Sequence, residues 1–162
     1  MNTEKAIFAS GCFWGTQYMF DKHEGVLNSL VGYTGGDTEN PTYKEVCGGD
    51  TGHREAIEIE FDPEKTTYEA LAKLFFETHN FSQVGGQGPD IGHQYTSAIY
   101  YTTDEQRDIA EKLIDDLESK GVVVTTEVLP AEPFYPAEDY HQKYYEKTGG
   151  APYCHVYIKR FD

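Results

Sequence analysis

An α+β fold, with helices packed as a second layer on a mostly antiparallel sheet, is what the chain predicts, and three observations carry that prediction. At 162 residues the length fits one domain, taken as 1–162, and suffices for a single hydrophobic core. Stretches of period-two hydrophobicity alternate with stretches of helical period in the order β-α-β-β-α-β. Aromatic residues make up 14% of the chain, with 13 Tyr, 9 Phe and one Trp, so large apolar groups are at hand to fill that core.

Taken in order, residues 5–9 predict a strand, 13–22 a helix and 26–33 an extended run. The stretch 34–54, with Gly35-Gly36, Asn40-Pro41 and Gly48-Gly49, predicts a loop, and loops of that length in a small domain are usually functional. Residues 55–61 alternate, with Ile57, Ile59 and Phe61 on one face and Glu58 and Glu60 on the other, which puts Glu55 on the apolar face. Thr66-Thr67-Tyr68-Glu69 predicts a capping box before a helix whose Tyr68, Leu71, Ala72 and Phe75 share a stripe. A second glycine-rich loop is expected over 81–94, then a strand at 97–101. Thr103-Asp104-Glu105-Gln106 opens a helix with Ile109, Leu113 and Leu117 on one side, stopping near Gly121. The β-branched run 122–128 predicts a strand ended by Pro130 and Pro133, and 138–147 a short aromatic helix. This is the split βαβ order, so the expected core is a ferredoxin-like two-layer sandwich with long loops left over to build a site.

Lysine and arginine total 13 against 28 acids, a net charge of −15. Such a surface repels phosphate backbones and anionic lipid, so neither nucleic acid nor membrane is expected as a partner. No apolar run approaches the roughly 18–20 residues of a spanning helix, and Met1-Asn2-Thr3-Glu4-Lys5 has no signal-peptide pattern. A cytoplasmic monomer is the expectation. Three cysteines, Cys12, Cys47 and Cys154, form neither a CxxC pair nor a dense disulfide framework. Six histidines offer no HExxH or HxxxH spacing, so no metal and no other cofactor is expected, and His141 reads as a packed helical residue.

Gly11-Cys12-Phe13-Trp14-Gly15 sets a cysteine between a strand and a helix start, where unpaired backbone N–H groups and the helix dipole favour a thiolate. Position alone leaves two readings open, a nucleophile and a thiol packed as a small hydrophobe. Phe13 and Trp14 could wall a pocket for a thioether methyl, or simply fill core. For Glu55, a carboxyl among apolar groups stays protonated near neutral pH, whereas one at a strand edge is hydrated and ionised.

The motifs, taken together, resemble one family. GCFWG, then Tyr33-Thr34-Gly35-Gly36, Asn40-Pro41-Thr42-Tyr43 and Glu45-Val46-Cys47, is similar to the A-type peptide methionine sulfoxide reductases. Thr51-Gly52-His53-Arg54-Glu55, Gln87-Gly88-Pro89-Asp90-Ile91-Gly92, Gln94-Tyr95, Glu138-Asp139-Tyr140-His141-Gln142 and Tyr153-Cys154 extend the likeness over nearly the whole chain. The resemblance implies an enzyme that reduces methionine S-sulfoxide, free or in oxidised proteins, in which Cys12 attacks sulfur and Glu55 supplies a proton. It further implies that Tyr43 and Tyr95 bind the sulfoxide oxygen and that Phe13, Trp14 and Asp90 line the substrate site. On the same ground Cys154 resolves a sulfenic acid on Cys12, and thioredoxin reduces the disulfide, with Cys47 a structural or spare thiol. Gln17, His93 and Thr96 depart from residues common in relatives, and their expected effect is at the rim where protein substrates dock. A tyrosine-rich binding module with inert thiols and a thiol peroxidase are the competing classes.

Overall fold

Period-two runs become strands and 3.6-period runs become helices in the order β1 (Glu4–Ala9), α1 (Phe13–Asp21), β2 (Val26–Thr34), α2 (Tyr43–Cys47), β3 (Arg54–Phe61) and α3 (Tyr68–Glu77). Then follow β4 (Gly86–Gln87), β5 (Asp90–Ile91), β6 (Ala98–Tyr101), α4 (Asp104–Ser119), β7 (Glu127–Pro130), β8 (Phe134–Pro136) and α5 (Tyr144–Thr148). The structure, a computed structural model, describes residues 2–152 and 155–161. Among these, six strands form one sheet in the order β7-β6-β1-β3-β2-β8, and β4 pairs with β5 in a separate hairpin. All neighbours in the large sheet are antiparallel except β6 and β7. The result is a mixed α/β fold with a mostly antiparallel sheet and few helices.

Strand parity decides which face each residue serves. Ala6, Phe8, Val31, Tyr33, Ile57, Ile59, Phe61 and Ile99 share the large core with Phe13 and Phe20 of α1, Leu71, Phe75 and Phe76 of α3, and Leu113 and Leu117 of α4. The alternate residues Ile7, Ala9, Ala56, Ala98 and Tyr100 form a small second cluster with Leu129 and Phe134 on the other face. Phe8 anchors the main core, stacking on Phe20, Tyr68 and Phe75 at 5.4, 5.8 and 5.1 Å between ring centroids. Burial of side chains this large supplies the main drive for folding, at roughly 25 cal/mol per Å² of apolar surface.

The expected elements through β6 and α4 fall within a residue or two of their predicted bounds, and the remaining features differ. Thr67, not Thr66, caps α3 by accepting the Ala70 N–H, because the Thr66 hydroxyl is engaged by His23 at 2.9 Å. The 34–54 loop contains α2, nucleated by a true capping box in which Thr42 and Glu45 satisfy one another's backbone N–H groups. The run 122–126 is not a strand: Thr125 spends its N–H and hydroxyl on Phe81 O, and pairing with β6 begins only at Glu127. Pro130 closes β7, and β8 follows it as the opposite edge of the sheet, both prolines of these strands lying where no inner ladder is broken.

The expected helix over 138–147 is instead a 3-10 turn at Asp139–His141, a left-handed residue at Lys143 with φ 57°, and α5. Gln142 causes the break. Its side chain accepts the Val31 N–H at 3.0 Å and donates to Val31 O at 2.9 Å, so it extends the sheet edge as an amide would and holds the backbone away from helix.

Candidate active site

The end of β1 turns through Gly11, whose φ of +96° suits glycine, and Cys12 becomes the N-cap of α1. Cys12 is 8% exposed and caps the helix with no side-chain hydrogen bond of its own to the first turn. The neighbouring backbone is packed tightly. A Cβ on Gly11 would sit 2.7 Å from Gln87 Cγ, and one on Gly15 would sit 2.2 Å from His155 Nδ1. Both glycines flanking Cys12 are therefore needed for contact with other parts of the chain.

Glu55 enters from the sheet. It pairs with Tyr33 across β2 and β3, and parity sends its side chain to the helix face while Arg54 goes to the other. Arg54 there donates to the Thr96 hydroxyl at 2.7 Å and the Tyr100 hydroxyl at 2.9 Å, and pairs with Glu127. Glu55 is 1% exposed, and its Oε1 accepts the N–H of Phe13 at 3.2 Å, so its carboxyl lies at the residue next to Cys12. Its Oε2 is buried with no hydrogen-bond partner among the described residues. Burial pushes the Glu55 pKa up from 4.5 to about 8, the Phe13 N–H works against this, and the charge of Asp90 adds to it. A carboxyl in this place holds its proton at neutral pH.

Tyr43 opens α2, and Tyr95 ends the 3-10 turn His93–Tyr95. Both have pKa values raised, first by burial and also by the charge of Glu55, and each phenol feels the other. Cys47, four residues along α2, helps to raise the Tyr43 pKa, which places that exposed thiol beside the Tyr43 side chain. Glu138 fixes the base of α2: one carboxylate oxygen accepts the Tyr43 N–H at 3.1 Å and the other the Tyr33 hydroxyl at 2.9 Å.

Phe13 is buried against Tyr33 and His141, with ring centroids 5.6 and 5.1 Å away. Trp14 stacks flat on Tyr144 at 3.6 Å and donates its indole N–H to His141 Nδ1 at 2.9 Å. The aromatic wall is thus continuous from Phe13 through His141 to Tyr43. Cys12, Phe13, Trp14, Glu55, Tyr43, Tyr95 and Asp90 fall in one neighbourhood, linked by these bonds and charges. Cys154 lies outside the described residues. The sequence reading missed the parts of Tyr33, Glu138 and His141, although the parity of β2 already aligns Tyr33 with Val31 and Glu55.

The three departures do not share one location. Gln17 is buried, binding Ser29 with its amide and the Lys143 N–H with its oxygen, so it is an interior tie and not a rim residue. Thr96 receives Arg54, and His93 pairs with Gly52 O at 3.1 Å. Among the described residues no group of three or more His, Cys, Asp or Glu is placed to hold a metal, and no helix is long and apolar enough to cross a membrane.

The chain is similar to known proteins over nearly its whole length. The peptide methionine sulfoxide reductase of Pasteurella multocida is 49% identical over 155 residues, spanning 95% of this chain and 89% of that one. Among solved structures, the reduced form of Mxr1 from Saccharomyces cerevisiae superposes with a TM-score of 0.90 at 32% identity, covering 96% of this chain and 92% of that one. Mxr1 in complex with Trx2 shares the fold at TM-score 0.65 and 22% identity, over 96% and 89% of the two chains. The model of the peptide methionine sulfoxide reductase family matches residues 4–162, and the chain belongs to that family.

Proposed function

We propose that the chain, as one reductase domain, reduces methionine S-sulfoxide, free or within oxidised proteins, by thiol chemistry at Cys12. The observation that carries this mechanism is the buried Glu55 carboxyl on the Phe13 amide, one residue from Cys12. Because Oε1 accepts that N–H, the acid's proton belongs on Oε2, the atom without a partner among the described residues. A sulfoxide oxygen seated against Oε2, Tyr43 and Tyr95 meets a proton donor and two phenol donors together.

Cys12 attacks the sulfur as its oxygen takes the Glu55 proton, and oxygen transfer leaves methionine and a Cys12 sulfenic acid. The helix N-terminus favours the attacking thiolate, and Phe13 and Trp14 hold the S-methyl. Cys154, assigned by resemblance, then attacks the sulfenic sulfur, forming a disulfide and releasing water. A thioredoxin-like dithiol reduces that disulfide, a partner supported by the Mxr1 complex with Trx2. The S stereochemistry rests on the family resemblance, and a cytoplasmic location belongs to the same reading. The strand order β6-β1-β3-β2, with α1 and α3 as crossovers, supports a ferredoxin-like core beneath the site.

The test is methionine release from methionine S-sulfoxide with thioredoxin as reductant. Cys12→Ser should release none, and Cys154→Ser should release about one equivalent and then stall. Turnover by Cys12→Ser would remove the nucleophile, and normal cycling by Cys154→Ser would remove the resolving step.

A further inference from the structure

One buried polar side chain beside Cys12 has no part in the reductive step. Among the described residues from 149 to 159 the chain forms neither helix nor strand, and it is exposed or half-buried except at His155, which is 3% exposed. The pattern is the reverse of what apolar burial alone would give. Val156, Tyr157 and Ile158 point outward, 64%, 54% and 51% exposed, while the imidazole goes in. A polar ring buried from an exposed segment is held by its hydrogen bonds and its fit.

Both the bonds and the fit are made with the backbone around Cys12. Burial lowers the pKa of the ring, against the Ser10 carbonyl and the Asp90 charge, so the imidazole is neutral. Its Nε2 donates to Ser10 O at 2.7 Å and lies 3.3 Å from the Thr16 hydroxyl, which in turn donates to Cys12 O at 3.3 Å. A Cβ on Gly15 would lie 2.2 Å from Nδ1, and one on Gly11 would lie 3.8 Å from Cε1. The ring therefore faces the chain on both sides of Cys12. The segment is tied down again at Ile158, whose N–H donates to Glu77 O at 2.7 Å, and upstream at Gly149, whose N–H donates to Tyr145 O at 2.9 Å.

We propose that His155 is a positioning residue for the resolving step: docked on Ser10, Thr16 and Gly15, it keeps the thiol of the preceding residue, Cys154, within reach of Cys12. The inference rests on the reading above in which Cys154 resolves the sulfenic acid. In that step the Cys154 sulfur attacks the Cys12 sulfur, the S–S bond forms, the S–O bond breaks, and the hydroxyl leaves with the thiol proton as water. A disulfide needs its two Cα atoms within about 7 Å, and one peptide bond spans about 3.8 Å between Cα atoms. A tether of one residue to a docked ring gives the second thiol a high effective concentration. Undocked, the stretch 149–158 is a loose loop that must find Cys12 by diffusion.

A single turnover on methionine S-sulfoxide without reductant separates the two steps. Methionine release reports the first, loss of free thiol reports the second, and dimedone traps the sulfenic acid between them. His155→Ala should release its equivalent of methionine at the parent rate, form the disulfide about 10–100-fold more slowly and accumulate the dimedone adduct. His155→Gln, whose amide can donate to Ser10 O, should recover part of that loss. Two glycines inserted between Cys154 and His155 leave the docked ring in place and lengthen only the tether, so this variant should also slow the disulfide, by about threefold or more, with methionine release intact. A merely structural role would slow both steps of His155→Ala together and leave the insertion without effect. Disulfide formation at the parent rate in His155→Ala or in the insertion, or equal slowing of both steps, overturns the assignment. Cys154→Ser separates the failures: normal cycling by that variant with thioredoxin sinks the resolving role of Cys154, whereas its stalling beside an unimpaired His155→Ala sinks the role of His155 alone.

Discussion

At the scale of single residues, the protonation of Glu55, the proposed proton donor, is decided by an unequal contest. Burial favours its neutral form, the Phe13 N–H favours the ionised form, and burial dominates, leaving a pKa of about 8. The consequence for stability has a definite sign. Below pH 4.5 the carboxyl is protonated folded or unfolded, and no penalty exists. Between there and about pH 8 only the unfolded chain ionises, so stability falls as pH rises; above that window the full cost stands, on the order of 5 kcal/mol. Glu55→Gln removes the ionisation, and its melting temperature relative to the parent should climb between pH 5 and pH 9 when both are followed by calorimetry. In single-turnover kinetics the same variant should lose about 10²–10⁴-fold in the reductive step at neutral pH. It should also lack the fall in rate that the parent shows as Glu55 ionises near pH 8. A near-normal rate with the alkaline fall intact would take Glu55 out of the acid role. Its placement was legible from strand parity alone, but its partner was not, since nothing in a sequence says that the Phe13 amide will face β3.

Elements matter here through their ends. The N-terminus of α1 meets the C-terminal segment at Gly15, where the buried His155 ring fills the space of a missing side chain and hydrogen-bonds Ser10 O at 2.7 Å. Alanine is the better helix former by about 1 kcal/mol, yet a Cβ 2.2 Å from Nδ1 must displace the ring. Overpacking outweighs propensity, and Gly15→Ala should lower stability by about 1–3 kcal/mol, read as a lower urea midpoint at unchanged slope. His155→Ala should relieve the clash, so a double-mutant cycle should be strongly non-additive; additivity would place the strain elsewhere. The same ends explain what the sequence could and could not disclose. Central strands and α3 and α4 were readable because burial repeats along each of them with a fixed period. α2 was missed although Thr42 and Glu45 have capping-box spacing, because a glycine-rich setting masks a five-residue helix. The break at Gln142 was not readable, because a side chain standing in for a strand acts at a distance of 111 residues, on Val31.

For the whole molecule, the net charge of −15 acts on any substrate larger than free methionine sulfoxide. The exposed segment that carries Tyr43 contains Asp37, Glu39, Glu45 and Asp50 against Lys44, so a peptide bound at the site passes an acidic border. Lysine 143 on the other flank is already paired with Asp21 at 2.6 Å and adds little free positive charge there. Long-range attraction of this kind raises encounter rates and is screened beyond about 10 Å at 0.1 M salt. Peptides with lysines beside the oxidised methionine should therefore show higher kcat/KM than glutamate-flanked ones at low ionic strength. Raising salt from about 20 mM to about 300 mM should bring the two together, lowering the first and lifting the second by a fewfold each. Free methionine sulfoxide, a zwitterion without net charge, should change little across that range. Salt dependence equal for all three would mean that the acidic border lies off the path of the substrate and that the charge serves solubility alone.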